Sequence, residues 1–491
     1  MPKNEELLIG WATRDITPDR PVNLCGQFHM RISKGVQDPV TMTALSITSG
    51  QEALVWVSCD LVFIPGEVLS QCRENLRRRL PAFPVDKLIM SATHTHTAPD
   101  AAGFWHPPPP AGVMTTAEYR EFLSDRIVDA VVESWNSRKP GMISWGYGHA
   151  VVGHNRRAVY FDDLSKRPGF VDQPGTKTEK NARMYGNTND PQFSGLEGYV
   201  EHGVNLLFTF DQEKRLTGAV FNLPCPSQET EGMEVISADF WHEVRTELRK
   251  RHGEKLFLLP QCAPSGDLSP HLMYNKAAEQ RMLKLKNRTS RQEIANRMAT
   301  AFDEVLQWAK NDIQEQVALK HTVRPVKLPR RLISEKEFRY AQAGLAELEK
   351  IPPSPEADAS VALRHDSALF ARKFRCKRIL ARYEEQKKSP TLPVELHVVR
   401  LGDVAFATNP FELFLDYGLR ITARSPAVQT FLAQLAAGGW GGYLATRKAE
   451  EGESYSACLY CNEVGSEGGQ QLVEETVKTM NELWAADAKT T

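Results

Sequence analysis

One succession of residues constrains this chain more than any other. Residues 53–64 form a long apolar run interrupted at Asp60 and stopped by Pro65-Gly66. Residues 67–80 then show the pattern of a helix, and residues 86–90 are again short and apolar. Strand, helix and strand in this order require a mixed α/β core, an α+β arrangement with helices packed on mixed sheets.

The rest of the chain extends the pattern. Strands are expected at residues 7–15, 44–47, 143–152 and 256–259, with hairpins over 204–221 and 396–408 and a further strand at 428–435. Helices are expected over 239–251 and 470–485. Three more open on capping boxes: Thr115 with Glu118, Ser290 with Glu293, and Ser334 with Glu337. The last begins a charged helical hairpin at about 334–387, read as a solvated pair packed on the sheet rather than a binding element. Residues 161–200 are a long loop rich in Gly, Pro, Asn and Asp, the kind more often functional than not. A chain of 491 residues with no internal repeat and no linker is expected to form one intertwined domain over 1–491.

Charge removes whole classes of function. Lys plus Arg number 60 and Asp plus Glu 61, a formal net charge of -1, so nothing global favours nucleic acid or an anionic membrane. No apolar run is long enough for a membrane span. The N-terminus has no apolar signal core, which points to the cytoplasm, although removal of a signal would leave the same picture. The eight cysteines are scattered and fit free thiols, with Cys458-Leu459-Tyr460-Cys461 read as incidental.

Chemistry concentrates at Thr93-His94-Thr95-His96-Thr97. If the preceding strand continues, alternation puts His94 and His96 on one side, where two imidazoles can hold a metal ion. The bland alternative is a pair of surface histidines. Other strand ends deliver Asn155 and Arg156, Cys225, Asp267 and Ser269, Glu412, Tyr443 and Tyr455. If these ends form one crevice, the inventory is that of a hydrolase: metal ligands, an arginine for an anion, and hydroxyls for a reacting carbonyl.

Several of these segments, in order, resemble the neutral (alkaline, non-lysosomal) ceramidase family over about residues 8–483. Gly35-Val36-Gln37-Asp38-Pro39 is similar to an early Gly-Val-His-Asp-Pro segment. Thr93-His94-Thr95-His96 is the Thr-His-Thr-His motif, and Asn155-Arg156 the arginine segment. Gly266-Asp267-Leu268-Ser269-Pro270 resembles the Gly-Asp-Val-Ser-Pro motif of the catalytic serine. Pro410-Phe411-Glu412 matches Pro-Gly-Glu, and Tyr443 and Tyr455 match two active-site tyrosines. The resemblance implies one zinc per chain on His94, Glu412 and Tyr443, with His96 within reach. It also implies that His96, Arg156 and Tyr455 handle the substrate carbonyl, with Ser269 at the scissile bond; Asp267, in the same motif, is a further catalytic candidate. Ser269 would either attack that bond or orient the water.

This chain departs from the pattern at Cys225, which stands where the family has its second zinc histidine. Cys225 is either a thiolate ligand or a buried structural thiol, and His202 and His242 are candidates to replace it. The family also carries an immunoglobulin-like domain after the catalytic one, and this chain ends about where the catalytic domain would. The expected activity is zinc-dependent hydrolysis of an amide or related polar bond in a small soluble molecule. One alternative is a carbohydrate or glycoconjugate substrate, with Trp105, Trp145 and Trp440 at the rim; another is a non-catalytic binding protein on a degenerate hydrolase fold. The expected partner is the small-molecule substrate, and a homo-oligomer is compatible with the sequence.

Overall fold

The computed structural model describes residues 6–170, 175, 178–436, 438 and 441–488. In the first sheet β1 (Leu7–Asp15), β2 (Thr41–Ser49) and β3 (Glu52–Cys59) run antiparallel. Helix α1 (Gly66–Arg79) crosses over to β4 (Leu88–Ala92), which lies parallel to β3. Helix α2 (Thr116–Asn136) opens on the expected capping box, with both reciprocal bonds between Thr115 and Glu118 formed. The two-residue β5 (Lys139–Pro140) closes the β1 edge.

Next comes β6 (Met142–His149), then short strands in the long loop: β7 (His154–Asn155), β8 (Arg157–Tyr160), β9 (Ala182–Met184) and β10 (Phe193–Leu196). The expected hairpin is β11 (Gly203–Phe210) with β12 (Leu216–Leu223). Helix α3 (Phe240–His252) crosses to β13 (Phe257–Cys262), parallel to β12, giving a second sheet in the order β13-β12-β11-β6. The short β14 (Leu268–Ser269) pairs with β7, and α4 (Lys276–Lys286) and α5 (Ser290–Ala309) follow.

The third sheet begins with β15 (Leu319–Pro329), and the expected helical hairpin comes next as α6 (Glu335–Glu349) and α7 (Ala359–Lys388). Strands β16 (Thr391–Leu401) and β17 (Val404–Thr408) turn around Gly402-Asp403. After β18 (Glu412–Leu413), α8 (Leu415–Arg424) crosses to β19 (Gln429–Ala433), parallel to β17. The chain ends with β20 (Tyr443–Leu444), α9 (Arg447–Gly452) and α10 (Ser466–Ala488).

Side-chain alternation explains how the sheets meet. In β2 and β3, Met42, Ala44, Val55 and Val57 face α1 and α2, while Leu45, Ile47, Leu54 and Trp56 face inward. In β11, Leu206 and Phe208 face α3 and α5 while Leu207 faces inward. In β17, Ala405 and Ala407 face the α8 and α10 side while Val404 and Phe406 face inward. All three sheets therefore share one central core and each has its own helices outside. Strands buried on both faces read as continuous apolar runs, which is why they were legible.

Each sheet contains one strand–helix–strand crossover of parallel strands, and these strands release their loops to one region. That is where open α/β sheets place their sites.

Candidate active site

The His-x-His loop does not form as strand alternation predicts. Strand β4 ends at Ala92, and His94 has a left-handed backbone with φ 64°. The loop turn nevertheless brings the two imidazoles edge to face, with ring centroids 4.8 Å apart. Gly26 lies against the His96 ring, where an added Cβ would come within 2.6 Å of its Cγ, so only glycine fits there.

His94 Nδ1 lies 2.7 Å from the Val62 carbonyl, so it carries the proton and leaves a lone pair on Nε2. That lone pair faces Glu412 Oε2 at 3.2 Å and His96 Nε2 at 3.3 Å. Glu412 is placed by the parallel pairing of β18 with β20, which sets it directly opposite Tyr443. Gly442, at φ 75°, permits this pairing, because a Cβ there would sit 2.3 Å from the Cys461 carbonyl. Burial opposes ionisation of Glu412, but His94, Tyr443 and Arg156 together hold its carboxyl below the usual range.

Arg156 fixes the other side of the site. Its guanidinium donates to the Gln228 side-chain oxygen at 3.1 Å, the Gly266 carbonyl at 3.0 Å and the Tyr443 hydroxyl at 3.3 Å. With its oxygen occupied, Gln228 must present its amide nitrogen to His96 Nε2, 2.8 Å away. The neutral His96 proton is then on Nδ1, which faces the Glu231 carboxylate at 3.6 Å. Burial first, and then His94 and Arg31, push the His96 pKa well below its ordinary value. Burial also raises the Glu231 carboxyl.

His94, His96, Glu412, Tyr443 and Tyr455 all line one cavity of about 70 Å³. Tyr455 packs edge-on to Tyr443 at 5.4 Å, and burial raises its hydroxyl pKa. Ser269 and Asp267 do not line this cavity. Ser269 Oγ accepts the His271 backbone N–H at 3.3 Å. The Asp267 carboxylate accepts from Leu415 N at 2.9 Å and Asn155 Nδ2 at 2.9 Å, so it ties the Ser269 loop to the Glu412 and Arg156 loops. Burial raises its pKa to about 6.

Cys225 sits in the core of the second sheet, its Sγ 3.4 Å from the Pro226 carbonyl. Burial, then Cys262, push its thiol pKa well up. His202 packs beside His154, and His242 lies in α3; neither lines the cavity. All eight cysteines are free and buried, and Cys458 and Cys461 Sγ atoms are 3.3 Å apart. Trp105 lines the cavity. Trp145 instead lines a separate cleft of about 610 Å³ with Tyr147 and Trp308. That cleft is larger, but none of the converging imidazoles or Glu412 reaches it. Trp440 lies outside the described residues.

Among the described residues no three of His, Cys, Asp and Glu gather as a ready metal-ligand set. The donors that converge are an imidazole lone pair, a carboxylate and a phenol: His94, Glu412 and Tyr443. Zinc bonds of about 2.0–2.2 Å at tetrahedral angles place donor atoms roughly 3.3–3.5 Å apart, close to the 3.2 Å between His94 and Glu412. The His94–Glu412 spacing is thus compatible with zinc, while the His96 lone pair is already taken by Gln228.

No family model matches this chain, and no curated protein matches it. Solved structures do. The crystal structure of neutral ceramidase from Pseudomonas aeruginosa superposes with a TM-score of 0.65 over 97% of this chain and 74% of that one, at 17% identity. The fold is that of neutral ceramidase. A ceramidase complexed with C2 gives a TM-score of 0.65 over 96% and 74% of the two chains, at 16% identity. The ceramidase fold explains why site residues scattered from His94 to Tyr455 converge. Gln228, Glu231, His106 and Arg375 were not singled out in the sequence. Gln228 alone had a signal, two residues beyond the rigid Pro224-Cys225-Pro226 segment.

Proposed function

We propose that the chain is a zinc-dependent hydrolase that cleaves an amide or related polar bond in a small polar molecule. One observation carries this reading: His94 Nε2 faces a buried carboxylate oxygen at 3.2 Å with Tyr443 alongside. Lone pairs so opposed need a cation between them or a proton on one of them. The likeness to ceramidase structures supports a metal over a proton. In this reading His94, Glu412 and Tyr443 hold one zinc, and Cys225 is a structural thiol.

Bound zinc would supply a Lewis acid and lower the pKa of water. The chain's residues do the rest. Arg156 directs positive charge at the Tyr443 side, where a carbonyl oxygen gains charge. The Arg156–Gln228–His96 chain holds the His96 ring and keeps it neutral. Tyr455 offers a protonated hydroxyl to the substrate, while Ser269, buried outside the cavity, holds the loop that carries the Arg156 partner Gly266. Hydrolysis joins the water oxygen to the carbonyl carbon, breaks the carbon–nitrogen bond and leaves a proton on the amine.

The carbohydrate reading keeps Trp105 in the cavity wall, but Trp145 belongs to the separate cleft. The binding-protein reading is opposed by the retention of His94, Glu412 and Tyr443 together. Metal analysis of the purified protein tests the proposal, with about one zinc per chain expected. Less than about half, with no gain on adding zinc, would defeat it. A panel of small amides, N-acyl lipids and aryl glycosides then separates the substrate classes.

A further inference from the structure

Helix α7 passes over the cavity and places Arg375 in its wall. The side chain is only 6% exposed, and its guanidinium lies against the Phe28 ring at 4.2 Å and the Tyr460 ring at 4.7 Å. Among the described residues its hydrogen bond runs from Nη1 to the Gly175 carbonyl at 3.1 Å. Among the described residues no carboxylate lies within ion-pair distance, and Nε and Nη2 meet no acceptor. A buried, permanently charged guanidinium without a counter-ion is costly.

His106 lines the same cavity and is also 6% exposed. Its Nδ1 is 3.1 Å from Asn23 Nδ2, whose amide also donates to Asp100. Nδ1 is therefore the acceptor, and the ring proton is on Nε2. That N–H is buried, and its approach to the Gln27 backbone falls short of hydrogen-bond geometry. Burial favours the neutral ring. Nearby Arg31 likewise pairs with no carboxylate among the described residues and donates to the carbonyls of Cys25, His96, Glu231 and Met233.

We infer that this cavity seats a small carboxylate, bound by Arg375 and His106 in the same cavity that the His94–Glu412 pair lines. Arginine presents a planar fork that matches a carboxylate, and the His106 N–H adds a third donor. At about 70 Å³, the space holds a few water molecules, which suits a carboxylate on a short stem. The inference rests on the hydrolase reading for what the seat is for: the substrate is a small amide carrying its own carboxylate.

The test is calorimetric titration of the purified holoprotein with acetate and with the neutral isostere acetamide, at constant ionic strength. Acetate should bind and acetamide should not. Arg375→Met should weaken acetate about tenfold or more, Arg375→Lys should recover part of the loss, and His106→Phe should cost several-fold. Circular dichroism checks that each variant folds, and if Arg375→Met does not, Arg375→Lys and His106→Phe carry the test. Equal binding of acetamide, or unchanged acetate affinity in the folded variants, overturns the seat. Amide turnover without Arg375-dependent acetate binding defeats the seat alone. Arg375-dependent binding without turnover of any amide defeats the hydrolase reading alone.

Discussion

Two walls close the cavity, and they are held in different ways. One is made of strand ends: His94 after β4, Glu412 in β18 and Tyr443 in β20. Its geometry is set by backbone pairing and by glycines pressed against their neighbours, as at Gly26 and Gly442. The other is made by α7 and the Phe28 loop, where Arg375 is steadied by aromatic contacts rather than ladders. Phe28 itself is 45% exposed. The first wall suits chemistry that tolerates little displacement. The second suits selection among substrates, because a side chain resting on rings adjusts at small cost.

That contrast makes graded predictions. The largest effect belongs to the strand wall. His94→Ala and Glu412→Gln should each abolish zinc retention and cut hydrolysis by roughly a thousandfold or more, read by metal analysis beside steady-state rates. Retained zinc in both variants would show that the strand wall does not hold the metal.

Gly442→Ala tests whether backbone fit, not side-chain chemistry, sets that wall. A Cβ at φ 75° and 2.3 Å from the Cys461 carbonyl should cost about 3 kcal/mol or more. Chemical denaturation measures it, and a loss below about 1 kcal/mol would mean the β18–β20 pairing adjusts freely.

Asp267 ties the strand-end loops together, and its buried carboxyl is raised from the ordinary 3.8 to about 6. A raised acid contributes stability that is complete below the unfolded pKa and is lost as pH rises through the folded one. Relative to Asp267→Asn, the wild type should therefore lose about 2 kcal/mol between pH 4 and pH 7. Parallel pH profiles of unfolding free energy for the two proteins would show otherwise by failing to diverge.

The smallest effect belongs to the helix wall. Phe28→Ala should cost about 0.5–1 kcal/mol or less in stability while weakening acetate binding a few-fold. A large stability loss there would erase the distinction between the walls.

Local signals were legible and distant ones were not. The Thr115–Glu118 and Ser334–Glu337 capping boxes form as read. At α5, overlapping pairs share the same spacing, and the cap falls on Thr289 with Gln292. Glu293 is buried instead and pairs with Lys286 and Arg288. Strand β15 escapes the reading because Pro325 and alternating charges argue against a strand. It is an edge strand, where proline is tolerated. His94 and His96 converge through a left-handed turn that no periodicity encodes. The helical hairpin reads as solvated because α7 is rich in charged residues, yet Ala371 and Arg375 face the cavity. Gln228 and Arg375 act across long sequence separations, and nothing beside them in the chain marks their partners.

The shared central core has a consequence for how far such a chain can diverge. Its lining is mostly leucine, isoleucine, valine and phenylalanine, drawn from three sheets. Aliphatic exchanges that conserve volume cost little in such an interior, and a change contributed by one sheet can be offset by a complementary change in either of the other two. Substitutions there can therefore accumulate in compensating sets, so a lineage can replace most of its residues while every strand keeps its neighbours. A TM-score of 0.65 at 17% identity over 97% of the chain shows how different a sequence this fold accepts.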